Sequence, residues 1–172
     1  EQALNIILSE IGVMGQERLP ITLTSNRVLA EDVVSTRDNP SWNNSAMDGY
    51  AVVSEDTKGA SRDNPVILDV VEDLPAGYVA KERLKNGEAI RIMTGAPVPE
   101  GADAVVMVEE TERVKGQGSR VKIFREAKAG DNIRKAGEDF KTGDCLIKKG
   151  AVIRPIEIGV MAAIGKSFVT VH

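Results

Sequence analysis

The chain has 172 residues, enough for one ordinary domain or two small ones with a real core. Its formal charge is −4 with Lys and Arg scattered among the acids, so no continuous basic face is available to neutralise a phosphate backbone, and nucleic acid is disfavoured as a partner. No apolar stretch approaches the roughly 18 to 20 residues that span a bilayer, and no signal-like segment opens the sequence; the composition predicts a cytoplasmic protein with no membrane partner.

In chain order, Ala3, Leu4, Ile7, Leu8 and Ile11 recur at helical spacing and predict an amphipathic helix over 1–11, ended near Gly12. It starts without a capping run, from which an earlier natural start is expected. Leu19–Leu23 reads as a short strand, Ser25 as the cap of a brief helix through Arg27–Ala30, and Val33-Val34 as another strand. Beyond Pro40 the apolar residues come in short β-rich runs between Gly, Pro, Asn and Asp clusters: Tyr50–Val53, Val66–Val71, Ala89–Ile92, Ala104–Val108 and Arg120–Phe124. Residues 115–119 read as a hairpin connection. After Gly143, Cys145–Ile147 and Ala151–Ile153 predict a hairpin around Lys148-Lys149-Gly150. Pro155 then opens a helix that Gly165 stops, and Phe168–Val171 closes as a strand. The expected fold class is α+β: a discontinuous α+β domain from 1–38 and 143–172, interrupted by a mainly antiparallel β-barrel-like insert over 39–142.

Residue inventory narrows the chemistry. The only histidine is the last residue, His172, which excludes histidine-based acid–base catalysis and the usual zinc ligand sets; any metal must be hard and oxygen-bound. The only cysteine, Cys145, lies in an apolar run and is expected to pack rather than react.

Three glycine-punctuated motifs remain. The first, Pro40 to Tyr50, sets Asp48 between Met47 and Gly49, after Asn44 and Ser45, whose side chains fix turns; Gly49 permits a positive φ or a close backbone approach. In the second, Arg91 to Val106, Thr94 and Gly95 open a rigid loop whose hydroxyl and bare backbone N–H groups suit an anion. The third, Gly130 to Asp139, carries Arg134-Lys135, a local cation for a small anion together with Lys128, and the adjacent acids Glu138 and Asp139, which suit magnesium. Taken separately, the first motif reads equally well as an ordinary turn, and the other two read more readily as a plain connection and an exposed turn than as sites.

Together, in this order and at these spacings, they resemble the N-terminal half of the molybdopterin molybdenumtransferases, the molybdenum insertases that include the E domain of gephyrin. The resemblance runs from the first helix, through Arg27-Val28-Leu29-Ala30-Glu31-Asp32-Val33, to the closing strand. It implies an enzyme that takes adenylylated molybdopterin and molybdate, with Mg2+, and yields molybdenum cofactor and AMP. It also implies a homodimer, with the site between the β domain of one subunit and the nucleotide-handling domain of the other, and a molybdopterin adenylyltransferase as upstream partner. By position, Asp48, Thr94 and Asp139 fall on the family's functional residues. Asn44, Ser45, Met47, Gly49, Gly95, Arg134 and Gly137 fall on its ligand-binding motifs, and Asp48, Glu138 and Asp139 are the implied magnesium ligands. Asn43 departs from the pattern, standing where many relatives carry an aspartate. Relatives also continue into an adenylyltransferase-like domain and a small C-terminal β domain, so a fragment holding half a site, inactive alone, is expected. The alternative function is a non-catalytic module that holds a pterin or scaffolds a dimer.

Overall fold

The computed structural model describes residues 2–114, 116 and 119–172. Their elements are α1 (Gln2–Glu10), β1 (Glu17–Pro20), β2 (Val33–Val34), β3 (Asn44–Ser45), β4 (Gly49–Val52), β5 (Val66–Leu74) and β6 (Glu88–Ile92). There follow β7 (Ala104–Met107), β8 (Thr111–Val114), β9 (Arg120–Ile123), β10 (Ile133–Arg134), β11 (Cys145–Ile147), α2 (Pro155–Ala163) and β12 (Phe168–Val171). The chain divides into two compact units, Glu1–Arg37 with Phe140–His172, and Asp38–Asp139.

In the first unit β1 pairs antiparallel with β12, and β2 with β11. Leu29, Val33, Ile153, Met161, Val169 and Val171 bury its core; each such side chain removed from water contributes about 1.5–3 kcal/mol. Helix α2 begins at Pro155, where a missing N–H costs nothing, and Glu157 accepts the Arg154 N–H at 2.9 Å. It ends before Gly165, whose φ of 75° fits a residue without Cβ. Helix α1 forms as expected, but its apolar residues Leu4, Ile7 and Leu8 are exposed.

Four expectations in this unit are corrected. Arg27–Ala30 is not helical: Leu29 N–H donates to Ala151 O at 2.9 Å and Ala30 N–H to Thr170 O at 2.9 Å, so partners far along the chain extend it. The predicted strand 19–23 stops at Pro20, and Ile21–Leu23 turns as a 3-10 helix. Cys145–Ile147 pairs with Val33–Val34 rather than with Ala151–Ile153, and Cys145 is exposed rather than packed.

The second unit is built on a six-stranded sheet in the order β7-β4-β6-β5-β9-β8. Its edge strands β7 and β8 are consecutive in the chain and joined by a single 3-10 turn, Val108–Glu110, so the sheet curls into a half-barrel. All pairs are antiparallel except β5 with β6. The β-rich runs read from the sequence are all strands here, while β3, β8 and β10 were not anticipated. The expected connection over 115–119 falls partly outside the described residues.

A bulge in β5 explains how one strand serves two cores. Val70 pairs with Ala89 and Glu72 with Ile90, leaving Val71 as an extra residue. One face therefore buries Tyr50, Val52, Leu68, Ala89, Val106 and Val121. The opposite face buries Ala51, Leu74, Ile90, Ile92 and Val105. An unbulged strand sends Leu68 and Leu74 to the same side.

Candidate functional site

Strand β3 ties the three motifs together. On one edge Ser45 N–H donates to Ala96 O at 3.0 Å, Gly95 N–H to Ser45 O at 2.9 Å and Val98 N–H to Asn43 O at 2.9 Å. On the other edge Ile133 and Arg134 of β10 stand opposite Ser45 and Asn44. Asn43 Oδ1 accepts the Ala136 N–H at 2.9 Å, and Asn39 O accepts the Asp139 N–H at 2.9 Å. Segments distant in sequence, each too short to hold its shape alone, thus fix one another. Asn43 has a structural task here that needs only a side-chain oxygen.

Asp48 leaves this seam just before β4. Gly49 pairs with Ile92 and Met107, so Asp48 and the end of β6 emerge at the same end of the half-barrel. There Asp48 Oδ1 accepts two hydrogen bonds from Thr94, from N–H at 2.8 Å and from Oγ1 at 2.7 Å. These two bonds, the backbone one foremost, hold the carboxyl below the usual carboxylate range, with the Arg91 charge adding to the effect. Asp48 is exposed and Oδ2 has no partner among the described residues, so the site presents an ionised, oriented oxygen to solvent.

Asp139 is placed differently. Its Oδ1 accepts from Arg134 Nη2 at 2.6 Å and its Oδ2 from Asn39 Nδ2 at 2.9 Å. Arg134 also lies 3.7 Å from Glu138, whose Oε2 accepts the Lys135 N–H at 2.9 Å. The Asp139 bond raises the guanidinium pKa further. The cation read from Arg134-Lys135 is therefore already neutralised at Arg134.

The other predicted residues divide by task. Ser45 is buried and its Oγ donates to Met47 O at 2.6 Å, shaping the turn into Asp48. Gly137 is buried at φ 70° with its N–H on Pro40 O at 2.9 Å. Met47 is exposed. Asn44 Oδ1 is a buried oxygen with no hydrogen-bond partner among the described residues, inside the seam. Gly49 is required by close approach, but of its own neighbouring strand: a Cβ there meets Val106 O at 2.0 Å.

The second loop corrects the sequence reading. Its backbone donors are not bare: Thr94 N–H goes to Asp48, Gly95 N–H to Ser45 O, and Ala96 N–H to Met93 O at 3.0 Å. Gly95, at φ 83°, makes the turn in which these groups find partners within the protein. One residue to which the sequence reading gave no role is Arg91, half-buried on β6, whose charge helps to lower the Asp48 carboxyl and which has no hydrogen bond or ion pair among the described residues. Its signal was available: a lone cation between Ile90 and Ile92 in an apolar strand.

Among the described residues no group of three or more His, Cys, Asp or Glu is arranged to hold a metal. Asp48, Glu138 and Asp139 thus form no preformed cage. The donor chemistry fits magnesium in a narrower sense, since this ion takes one or two carboxylates and completes its shell with water and phosphate, and Asp48 Oδ2 is open. No helix among the described residues is long and apolar enough to cross a membrane.

Comparisons with known proteins agree with this architecture. The chain is 46% identical over 147 residues to molybdopterin molybdenumtransferase 2 of Mycobacterium tuberculosis, covering 86% of this chain and 36% of that protein. It is 39% identical over 171 residues to molybdopterin molybdenumtransferase of Staphylococcus aureus, covering 99% of this chain and 40% of the relative. The crystal structure of the molybdopterin biosynthesis moeA protein from Pyrococcus horikoshii OT3 superposes with a TM-score of 0.91 at 39% identity, over 99% of this chain and 44% of that one. The chain thus spans less than half the length of these relatives. The family described as MoeA N-terminal region (domain I and II) matches residues 1–165, and the chain belongs to it.

Proposed function

We propose that this chain is part of a molybdenum insertase, a transferase that inserts molybdate into adenylylated molybdopterin, releases AMP and forms molybdenum cofactor. In this reading the seam of motifs is one wall of the site, and the other wall comes from the nucleotide-handling domain of a second subunit in a homodimer. A molybdopterin adenylyltransferase supplies the adenylylated substrate. Family membership supports the reaction class. The observation that carries the site is that β3 is hydrogen-bonded to the Thr94 loop on one edge and to the Arg134 strand on the other.

Roles follow from the bonding. Asp48 is the acid that faces the ligand: Thr94 orients it and keeps it ionised, leaving Oδ2 outward. Arg134 and Asn39 hold Asp139 in place, so Asp139 positions the third motif and reaches a ligand only when that ion pair opens. Magnesium, when bound, would be held by Asp48 and would neutralise phosphate oxygens of the substrate.

The test is to incubate the full-length protein with adenylylated molybdopterin, molybdate and magnesium. AMP release matched by cofactor formation is expected, and neither product from the 172-residue chain alone. A folded full-length protein that binds the substrate but releases no AMP contradicts insertion and leaves the pterin-holding role.

A further inference from the structure

We propose that Arg91 is the anion-binding residue of this site, contacting a tetrahedral oxyanion of the ligand beside Asp48 and Thr94. The inference rests on the reading that the Asp48 face meets an anionic substrate.

Three observations lead to it. First, the donors of the Thr94 loop are spent internally, on Asp48, Ser45 and Met93, so that loop offers an anion no free backbone N–H from residues 94–96. Second, the motif cation Arg134 is closed by Asp139 at 2.6 Å and faces Glu138. Third, Arg91 is half-buried and has neither a hydrogen bond nor an ion pair among the described residues. It stands in register between Tyr50 on β4 and Asp73 on β5, on the sheet face that carries both. Arg113 already occupies those two neighbours, with Nε 3.3 Å from the Tyr50 hydroxyl and Nη2 3.5 Å from Asp73. Arg91 is thereby left as a positive charge at the end of the half-barrel from which Asp48 emerges. A guanidinium held on a strand presents its donors in a fixed fork, which suits two oxygens of a tetrahedral anion.

The anion has two possible sources, the pyrophosphate of the adenylylated substrate and the metal oxyanion, and inorganic pyrophosphate and molybdate serve as separate probes. Calorimetric titration of the full-length protein should show at least tenfold weaker binding of one probe by Arg91→Gln, with partial recovery in Arg91→Lys and an unchanged melting temperature in both. Loss for pyrophosphate alone assigns Arg91 to the nucleotide phosphates; loss for molybdate alone assigns it to the metal oxyanion. Equal affinity of wild type and Arg91→Gln for both probes overturns the proposal, as does an active wild type that binds neither. Wild type that binds a probe through Arg91 but yields no molybdenum cofactor leaves Arg91 an anion site and removes the insertase reading instead.

Discussion

Substituting Gly49 by Ala adds one methyl group at a close backbone crossing in the site unit. The added Cβ stands 2.0 Å from Val106 O and 2.9 Å from Val106 C, both backbone atoms of the paired strand β7. A flexible side chain relieves such a clash by changing rotamer; a ladder carbonyl moves only by taking the strand with it. Overpacking by a methylene in a core costs about 1–3 kcal/mol, and the rigid partner here puts the cost at about 3 kcal/mol or more. For a chain of this size that is a fall in Tm of about 6–12 °C. Gly159 is the matched control, since it lies mid-helix in α2, a Cβ there meets nothing within 4 Å, and its φ is not positive. Gly159→Ala should raise stability by about 0.5–1 kcal/mol, because alanine loses less backbone entropy. Thermal unfolding followed by circular dichroism gives both values. A Gly49→Ala variant melting within about 2 °C of wild type refutes the strand-approach explanation.

Asn43→Ala should cost about 0.5–1.5 kcal/mol in urea unfolding through loss of the Ala136 hydrogen bond, whereas Asn43→Asp keeps the acceptor and should stay near wild type; equal losses in the two variants would count against a capping role. Glu157 is held down to about 2, chiefly by the Arg154 side chain. A depressed acid stabilises the fold above its unfolded pKa and loses that contribution as pH falls through the folded value, here from about 4.5 to 2. The stability gap between wild type and Glu157→Gln should therefore be full at pH 6 and shrink steadily below 4.5, and a gap that is constant with pH disproves the linkage. Thr94→Ser retains both bonds to Asp48 and should keep full insertion activity in the full-length protein, while Thr94→Val removes the hydroxyl bond and should lower it; activity that is equal in the two would remove the orienting role.

Locally signalled features were legible in the sequence and features created by distant partners were not. Pro155 and Gly165 bracket α2 because helix start and stop are chemistry of a few adjacent residues. The β-branched runs at Val66, Ala89, Ala104 and Arg120 became strands, although β5 runs on past Val71 to Leu74 and includes the bulge. Two-residue strands such as β3 and β10 have no period to detect, yet they are what brings the motifs together. Val28-Leu29-Ala30 is short and apolar, equally at home in helix or strand, and its extended form is dictated by carbonyls of Ala151 and Thr170 more than 100 residues away. In the site, Asp48 and Thr94 were each singled out by their motifs, but the bonds between them were not, since the Thr94 hydroxyl and N–H read as donors to an anion and instead both go to Asp48. The closure of Arg134 onto Asp139 and the isolation of Arg91 depend on side-chain reach across strands, which sequence spacing does not encode.

The most direct test of the central claim, that an ionised Asp48 oriented by Thr94 acts on the substrate, is molybdenum insertion by Asp48→Asn in the full-length protein. Asparagine keeps an oxygen to accept both Thr94 bonds and removes only the charge, so the fold should persist with an unchanged melting temperature. The account predicts that cofactor formation and AMP release fall by two orders of magnitude or more, on the order expected when a preorganised charge at a reacting centre is lost. Insertion at the wild-type rate by the folded variant would contradict it and reduce the Asp48–Thr94 pair to a brace for the turn.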